Sequence, residues 1–145
     1  MRRYFAYGSN MSRQRLQART QRVVHHGHAV LDGYVHRFSH HGSDGTAKGN
    51  IERVSSGRVE GVVYELSHEQ VELLDVYEGG YQMIEVQVRL SQGEALISAY
   101  SYTSIRLGFG LLPHSDYYGH YLQGMRENQF TEAYIEIIRK QAGEK

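Results

Sequence analysis

The distribution of hydrophobic period along the chain constrains its fold more than any other feature. Residues 29–38 (AVLDGYVHRF), 50–54 (NIERV), 58–66 (RVEGVVYEL), 82–90 (QMIEVQVRL) and 95–103 (ALISAYSYT) are rich in β-branched and aromatic side chains and read as strands. In the fourth of these, Ile84, Val86, Val88 and Leu90 alternate with polar neighbours, the period of a half-buried strand. Helical signals dominate only later: one helix is expected near 115–126, and another, capped by Thr131, to about Gln141. Strands fill the first hundred residues and helices close the chain, without the regular alternation that a doubly wound sheet requires. The expected class is α+β with a strongly curved or closed sheet.

A chain of 145 residues suits one domain, 1–145, built on one core and carrying one site. Sixteen Lys and Arg balance sixteen Asp and Glu, so no global field recruits nucleic acid or an anionic membrane. The many tyrosines come without a basic excess or an aromatic RNA-binding pattern, so no nucleic-acid partner is expected. Cysteine is absent, which removes disulfides and thiolate chemistry. No run of 18 apolar residues offers a transmembrane helix. The apolar stretch after Arg2-Arg3 breaks at Gly8 before reaching the length of a signal-peptide core, so a cytoplasmic location is expected.

Two short stretches carry the chemistry. In MRRYFAYGSNM a short aromatic strand, residues 3–7, ends at Gly8, and Asn10 or Ser12 can cap a helix running to about Ala18. A strand turning through glycine into a helix either is an ordinary turn or presents unpaired N–H groups to a carboxylate or carbonyl oxygen. Further on, Ser67 and Gln70 have capping-box spacing, Val71, Leu74 and Tyr77 follow at helical intervals, and Gly79-Gly80 stops the helix near Glu78. Glu78 is then either an exposed last-turn residue or a carboxylate at the negative end of a helix dipole between Tyr77 and Tyr81. The second setting raises its pKa and suits proton shuttling.

Other patterns lead nowhere. HEQVE at 68–72 lacks the second histidine of a zinc helix and reads as helix surface. His25, His26, His28, His36, His40 and His41 lack finger-like spacing and read as surface histidines, and no metal site is expected. GFGLLP at 108–113 places Pro113 where a dinucleotide fingerprint needs its third glycine. Ser9 lacks the flanking glycines of a hydrolase elbow. The polar run SHHGSDGTAKG, 39–49, reads as a mobile loop.

Taken in order, YFAYGSNM (4–11), GVVYEL (61–66), LDVYEGGY (74–81), IEVQV (84–88) and PHSDYYGHYLQGM (113–125) resemble the γ-glutamylcyclotransferase family, with AIG2-like proteins, across nearly the whole chain. The resemblance implies a small mixed β-barrel flanked by helices. It also implies closure of a γ-glutamyl amide to 5-oxoproline with release of an amine, needing no cofactor. By position, Tyr7, Gly8, Ser9, Asn10 and Met11 would form the loop around the γ-glutamyl group, and Glu78 would be the acid/base. Tyr117 matches the family tyrosine that contacts substrate, and Tyr81 and Tyr102 would be pocket walls.

The chain is similar to the compact bacterial branch, being shorter than the animal glutathione-pathway enzymes and carrying a tighter EGGY turn. The implied partner is a small γ-glutamyl molecule, and a monomer and a homodimer both remain open. Two alternatives also stay open: a same-fold enzyme removing a γ-glutamyl protecting group from a biosynthetic intermediate, and a non-catalytic small-molecule binding module.

Overall fold

A computed structural model describes residues 1–93 and 95–144. Glu94 and Lys145, inside the span 1–145 read as one domain, lie outside the described residues. Strand β1 (Arg2–Ala6) leads through a one-turn 3-10 helix (Ser9–Met11) to α1 (Arg13–Thr20), followed by β2 (Val24–His41) and β3 (Ala47–Leu66). Helix α2 (His68–Tyr77), strands β4 (Tyr81–Leu90) and β5 (Leu96–Ser104), and helices α3 (Ser115–Glu127) and α4 (Glu132–Gln141) complete the chain. No described helix is long and apolar enough to cross a membrane.

The strands close into a barrel in the order β1-β3-β2-β4-β5, with β5 returning to β1 in parallel at Tyr4 and Tyr100. The other pairings are antiparallel. Closure gives each strand an inner and an outer face that alternate residue by residue. Phe5, Leu31, Val59, Val63, Val88 and Ala99, all from strands, pack in one cluster that fills the interior. Tyr4, Ala6, Val62, Tyr64, Leu66 and Tyr100 face outward, against Leu16 of α1, Leu74 of α2, Met125 of α3 and Ile138 of α4. The α+β class and the barrel expected from sequence are both present.

The strand assignments in the middle of the chain need correction. The stretches 29–38, 50–54 and 58–66 belong to two long strands, and the run 39–49 is not a free loop. His40 pairs with Lys48 and His41 with Ala47, leaving only residues 42–46 as the turn. Backbone pairing with a distant partner tolerates polar side chains, and register shifts at His25/Gly27, Asp32/Tyr34 and Arg37/His40 bend the ribbon around the barrel.

Local signals explain the helices. Ser67 Oγ accepts from the Gln70 N–H while the Gln70 side chain accepts from the Ser67 N–H, a complete capping box at the start of α2. Ser12 and Thr131 cap α1 and α4 in the same manner, each accepting one backbone N–H. Thr131 also ties α4 to the barrel: its N–H and hydroxyl both donate to Glu60, at 3.2 and 2.6 Å. His28 Nε2 at 2.7 Å and Arg58 Nη1 at 2.6 Å complete the shell of this fully buried carboxylate. Burial alone pushes the Glu60 carboxyl up, but the hydrogen bonds from His28, Thr131 and Arg58 together hold it at about 2.

Candidate functional site

One end of the barrel opens into a cavity of about 230 Å³ where β1, α1, α2, α3 and the β2–β3 hairpin meet. Its lining includes Tyr7, Gly8, Ser9, Asn10, Glu78, Tyr81, Tyr102 and Tyr117, drawn from positions scattered over more than a hundred residues. Met11, the last residue expected in the binding loop, does not line it. Its side chain is fully buried in the core. A Cβ on Gly124 of α3 would stand 2.5 Å from Met11, so the bare helix face at Gly124 is what lets α3 press on the loop.

The loop geometry follows from its sequence. Gly8 accepts from the Met11 N–H at 3.0 Å and Ser9 from the Ser12 N–H at 3.2 Å, which winds the chain into its 3-10 turn. The N–H groups that open such a turn have no partner within it. Arg15 Nε donates to Ser9 Oγ at 2.9 Å, and Arg19 Nη1 donates to Asn10 Oδ1 at 3.3 Å. That second bond orients the Asn10 amide, so its Nδ2 donates to Tyr4 Oη at 3.1 Å and reaches Glu78 Oε1 at 3.4 Å. The loop and Glu78, 68 positions apart, therefore touch.

Glu78 caps the C-terminus of α2, its N–H bonded to the Asp75 carbonyl at 3.1 Å. Gly80 follows at φ 86°, a conformation that favours glycine and turns the chain at once into β4. The residue is partly exposed, but its carboxyl is drawn inward, and its one side-chain hydrogen bond among the described residues is the long one from Asn10. Burial is the main cause that raises its pKa, with Asp75 adding to it, while Arg19, Arg15 and Asn10 pull the other way. The balance leaves the carboxyl at about 7. A group at that value is both acid and base near neutrality.

Tyrosines build the walls. Tyr7 donates to the Tyr102 carbonyl at 2.7 Å, and Tyr102 to Asp75 Oδ1 at 3.3 Å, tying β1, β5 and α2 together beside Glu78. Across the cavity, Tyr81 donates to the Gly49 carbonyl at 2.6 Å while the Gly49 N–H donates to Tyr117 at 2.9 Å. Burial keeps the phenols of Tyr7, Tyr81 and Tyr117 protonated, above the ordinary range.

Sequence reasoning missed Tyr4, Arg15, Arg19, His40 and Lys48, all in the lining. Arg15 and Arg19 carried a usable signal, lying four apart on the helix that follows the loop and so sharing a face. His36 and His40 correct the surface reading of the histidines, being 3% exposed each. His36 bridges Gln141 at 2.8 Å and Tyr121 at 2.7 Å, and burial lowers its pKa to about 4. His40 stacks on Tyr81 with ring centroids 4.1 Å apart. His68 and Glu72 of HEQVE are exposed and pair at 3.4 Å. Among the described residues no cluster of three or more His, Cys, Asp or Glu could hold a metal ion.

Comparison with known proteins bears on this site. A family model described as "Gamma-glutamyl cyclotransferase, AIG2-like" matches residues 4–129. A solved "Gamma-glutamyl cyclotransferase" superimposes with a TM-score of 0.84 at 25% identity, covering 99% of this chain and 87% of that one. A human protein of uncharacterized title superimposes at 0.85 with 26% identity and the same coverage. A yeast γ-glutamyl cyclotransferase titled as specific to glutathione, 14% identical, shares the fold at a TM-score of 0.67, with 97% of this chain and 95% of that one covered. No match was found among the curated proteins.

Proposed function

The chain belongs to the gamma-glutamyl cyclotransferase, AIG2-like family, and from that premise we propose that it closes a γ-glutamyl amide to 5-oxoproline, releasing an amine, with Glu78 as the acid/base. The observation that carries the reading is the 3.4 Å approach of Asn10 in the loop to a carboxyl held at about 7. The substrate's α-amine is an ammonium in water and cannot attack its own γ-carbonyl until it loses a proton. Ionised Glu78 takes that proton. The nitrogen then bonds to the γ-carbon, and Glu78 gives its proton to the departing nitrogen as the old C–N bond breaks. The freed carboxylate takes the second proton that the newly bonded nitrogen sheds to become the lactam N–H.

The remaining parts hold the substrate folded. Arg15 and Arg19, beside Ser9 and Asn10, complement the α-carboxylate of the glutamyl group. N–H groups of Gly8 to Asn10 face the developing oxyanion, a contribution of about 3 kcal/mol per well-placed donor in other enzymes. Nucleophile and electrophile belong to one molecule, so confining the glutamyl chain in a bent form supplies much of the remaining acceleration. A binding module gains nothing from a poorly partnered carboxyl near 7, so the same residue argues for catalysis. The test is incubation of the purified protein with a panel of γ-glutamyl amino acids and γ-glutamyl amines, scoring 5-oxoproline by mass spectrometry. Turnover of at least one member is expected, and turnover of none contradicts the reading.

A further inference from the structure

The charges lining the cavity are unequal to the demands of a γ-glutamyl group alone. Among the described residues, three permanent cations in its lining, Arg15, Arg19 and Lys48, accompany one carboxyl, Glu78. Arg15 and Arg19 are on α1 and bond to Ser9 and Asn10, at the Glu78 end. Lys48 is on β3 at the hairpin end, next to the Gly49 peptide that Tyr81 and Tyr117 clamp. A γ-glutamyl group brings one carboxylate, which the α1 end accommodates. Lys48 is left over.

Lys48 is built into this position. Its ammonium lies 4.5 Å from the centroid of the Tyr117 ring, and its side chain is only 25% exposed. Among the described residues it makes one hydrogen bond, to Asp44 Oδ2 at 3.3 Å. An ammonium has three N–H directions, and with one on Asp44 and the Tyr117 ring on one side it keeps capacity for a further acceptor. Asp44 is itself exposed and is fixed by Thr46, whose N–H and hydroxyl both donate to Oδ1. An exposed pair of this kind is weak and yields readily to a competing carboxylate. The neighbouring His40 does not share the role. Burial first, then Arg106, His41 and Lys48, lowers its pKa below the usual histidine range.

We propose that Lys48 forms a carboxylate subsite for the departing half of the substrate, so that the preferred leaving amine is one that carries a carboxylate, as an amino acid does. The inference rests on the γ-glutamyl reading and deepens it. Lys48 acts on selection, through a charge-assisted hydrogen bond to an atom remote from the reacting bond. A simple alkylamine leaving group has nothing to offer it.

The test compares γ-glutamylalanine with γ-glutamylethylamine, which differ only by the carboxylate on the leaving amine. Dissociation constants are measured by calorimetry on the Glu78→Gln protein, so that turnover does not interfere. A charge-assisted contact predicts tighter binding of γ-glutamylalanine by about tenfold. The ratio should collapse toward one when Lys48→Gln is added, and should persist with Lys48→Arg, which keeps the charge. Equal binding of the two ligands, or a ratio that survives Lys48→Gln, overturns the subsite. Binding of neither ligand overturns both the subsite and the γ-glutamyl reading. A clear Lys48-dependent ratio, with no 5-oxoproline formed by the unsubstituted protein, supports the subsite and sinks the cyclotransferase reading alone.

Discussion

Glu60 and Glu78 are both drawn out of water, yet one gives up its proton well below the ordinary carboxylate range and the other well above it. The Glu60 carboxyl is held at about 2, whereas burial raises that of Glu78 to about 7. The difference lies in their partners. Glu60 receives hydrogen bonds from His28, Arg58 and both donors of Thr131, all at 3.2 Å or less. Among the described residues Glu78 receives one side-chain hydrogen bond, at 3.4 Å, and its two guanidinium neighbours are already bonded to Ser9 and Asn10. Burial alone does not make a carboxylate a proton carrier; the number of donors committed to it decides. Glu60 is a fastener between β3 and α4, and Glu78 is free to exchange.

The contrast is broken most forcefully by Glu78→Gln. Removing a positioned acid/base typically lowers kcat by about 10²–10⁴-fold, and a fall of that size is expected with substrate affinity retained. Folding should survive or improve, because the amide avoids the cost of a poorly solvated charge. Normal kcat in this variant removes Glu78 from the proton steps, and loss of folding makes it a structural residue like Glu60.

Stability against pH sharpens the same comparison. Glu78 is raised in the fold, so its ionisation opposes folding: the cost begins above its ordinary 4.5 and is complete above about 7. That shift corresponds to a loss of about 3 kcal/mol across the window. Denaturant titrations at pH 5 and pH 8 should show this loss in the parent and its absence in Glu78→Gln. Glu60 behaves oppositely, contributing stability above 4.5 that disappears as pH falls toward about 2. The acid limb should therefore be the same in both proteins.

The smallest effect expected is that of Thr131→Val, which removes the hydroxyl that both caps α4 and donates to Glu60. A cap and a charge-assisted hydrogen bond together point to a destabilisation of about 1–2 kcal/mol. Activity should be unchanged. A substantial fall in kcat with the melting temperature intact would show that the two carboxylates are coupled.

How much of this was legible in sequence depended on how local the causes are. The capping box at Ser67 and Gln70, the glycine stop after Glu78 and the strand period of 82–90 are short-range signals, and the elements formed where they indicated. Glu78 at the end of α2 followed from them. The long β2–β3 ribbon did not, because His40, His41 and Lys48 acquire their strand conformation from partners across the hairpin rather than from their own propensity. Arg15 and Arg19 share a helix face that the sequence does display, but only the meeting of α1 with the end of α2 brings that face to Glu78. Met11 matched a motif yet entered the core, because a close approach at Gly124 is invisible until α3 is in place.

The claim that hydrogen-bond donors, gathered on Glu60 and scarce on Glu78, separate the two carboxylates is tested most directly by titrating both in the folded protein. Carbon-13 labelling of glutamate side chains, with Glu78→Gln and Glu60→Gln for assignment, gives each carboxyl its own midpoint by NMR. The account predicts one glutamate titrating near 7 that vanishes in Glu78→Gln, and a second, assigned by Glu60→Gln, still ionised well below the ordinary range. A spectrum in which Glu78 titrates with the exposed glutamates near 4.5, or in which the fully buried Glu60 is the one displaced upward, would contradict it.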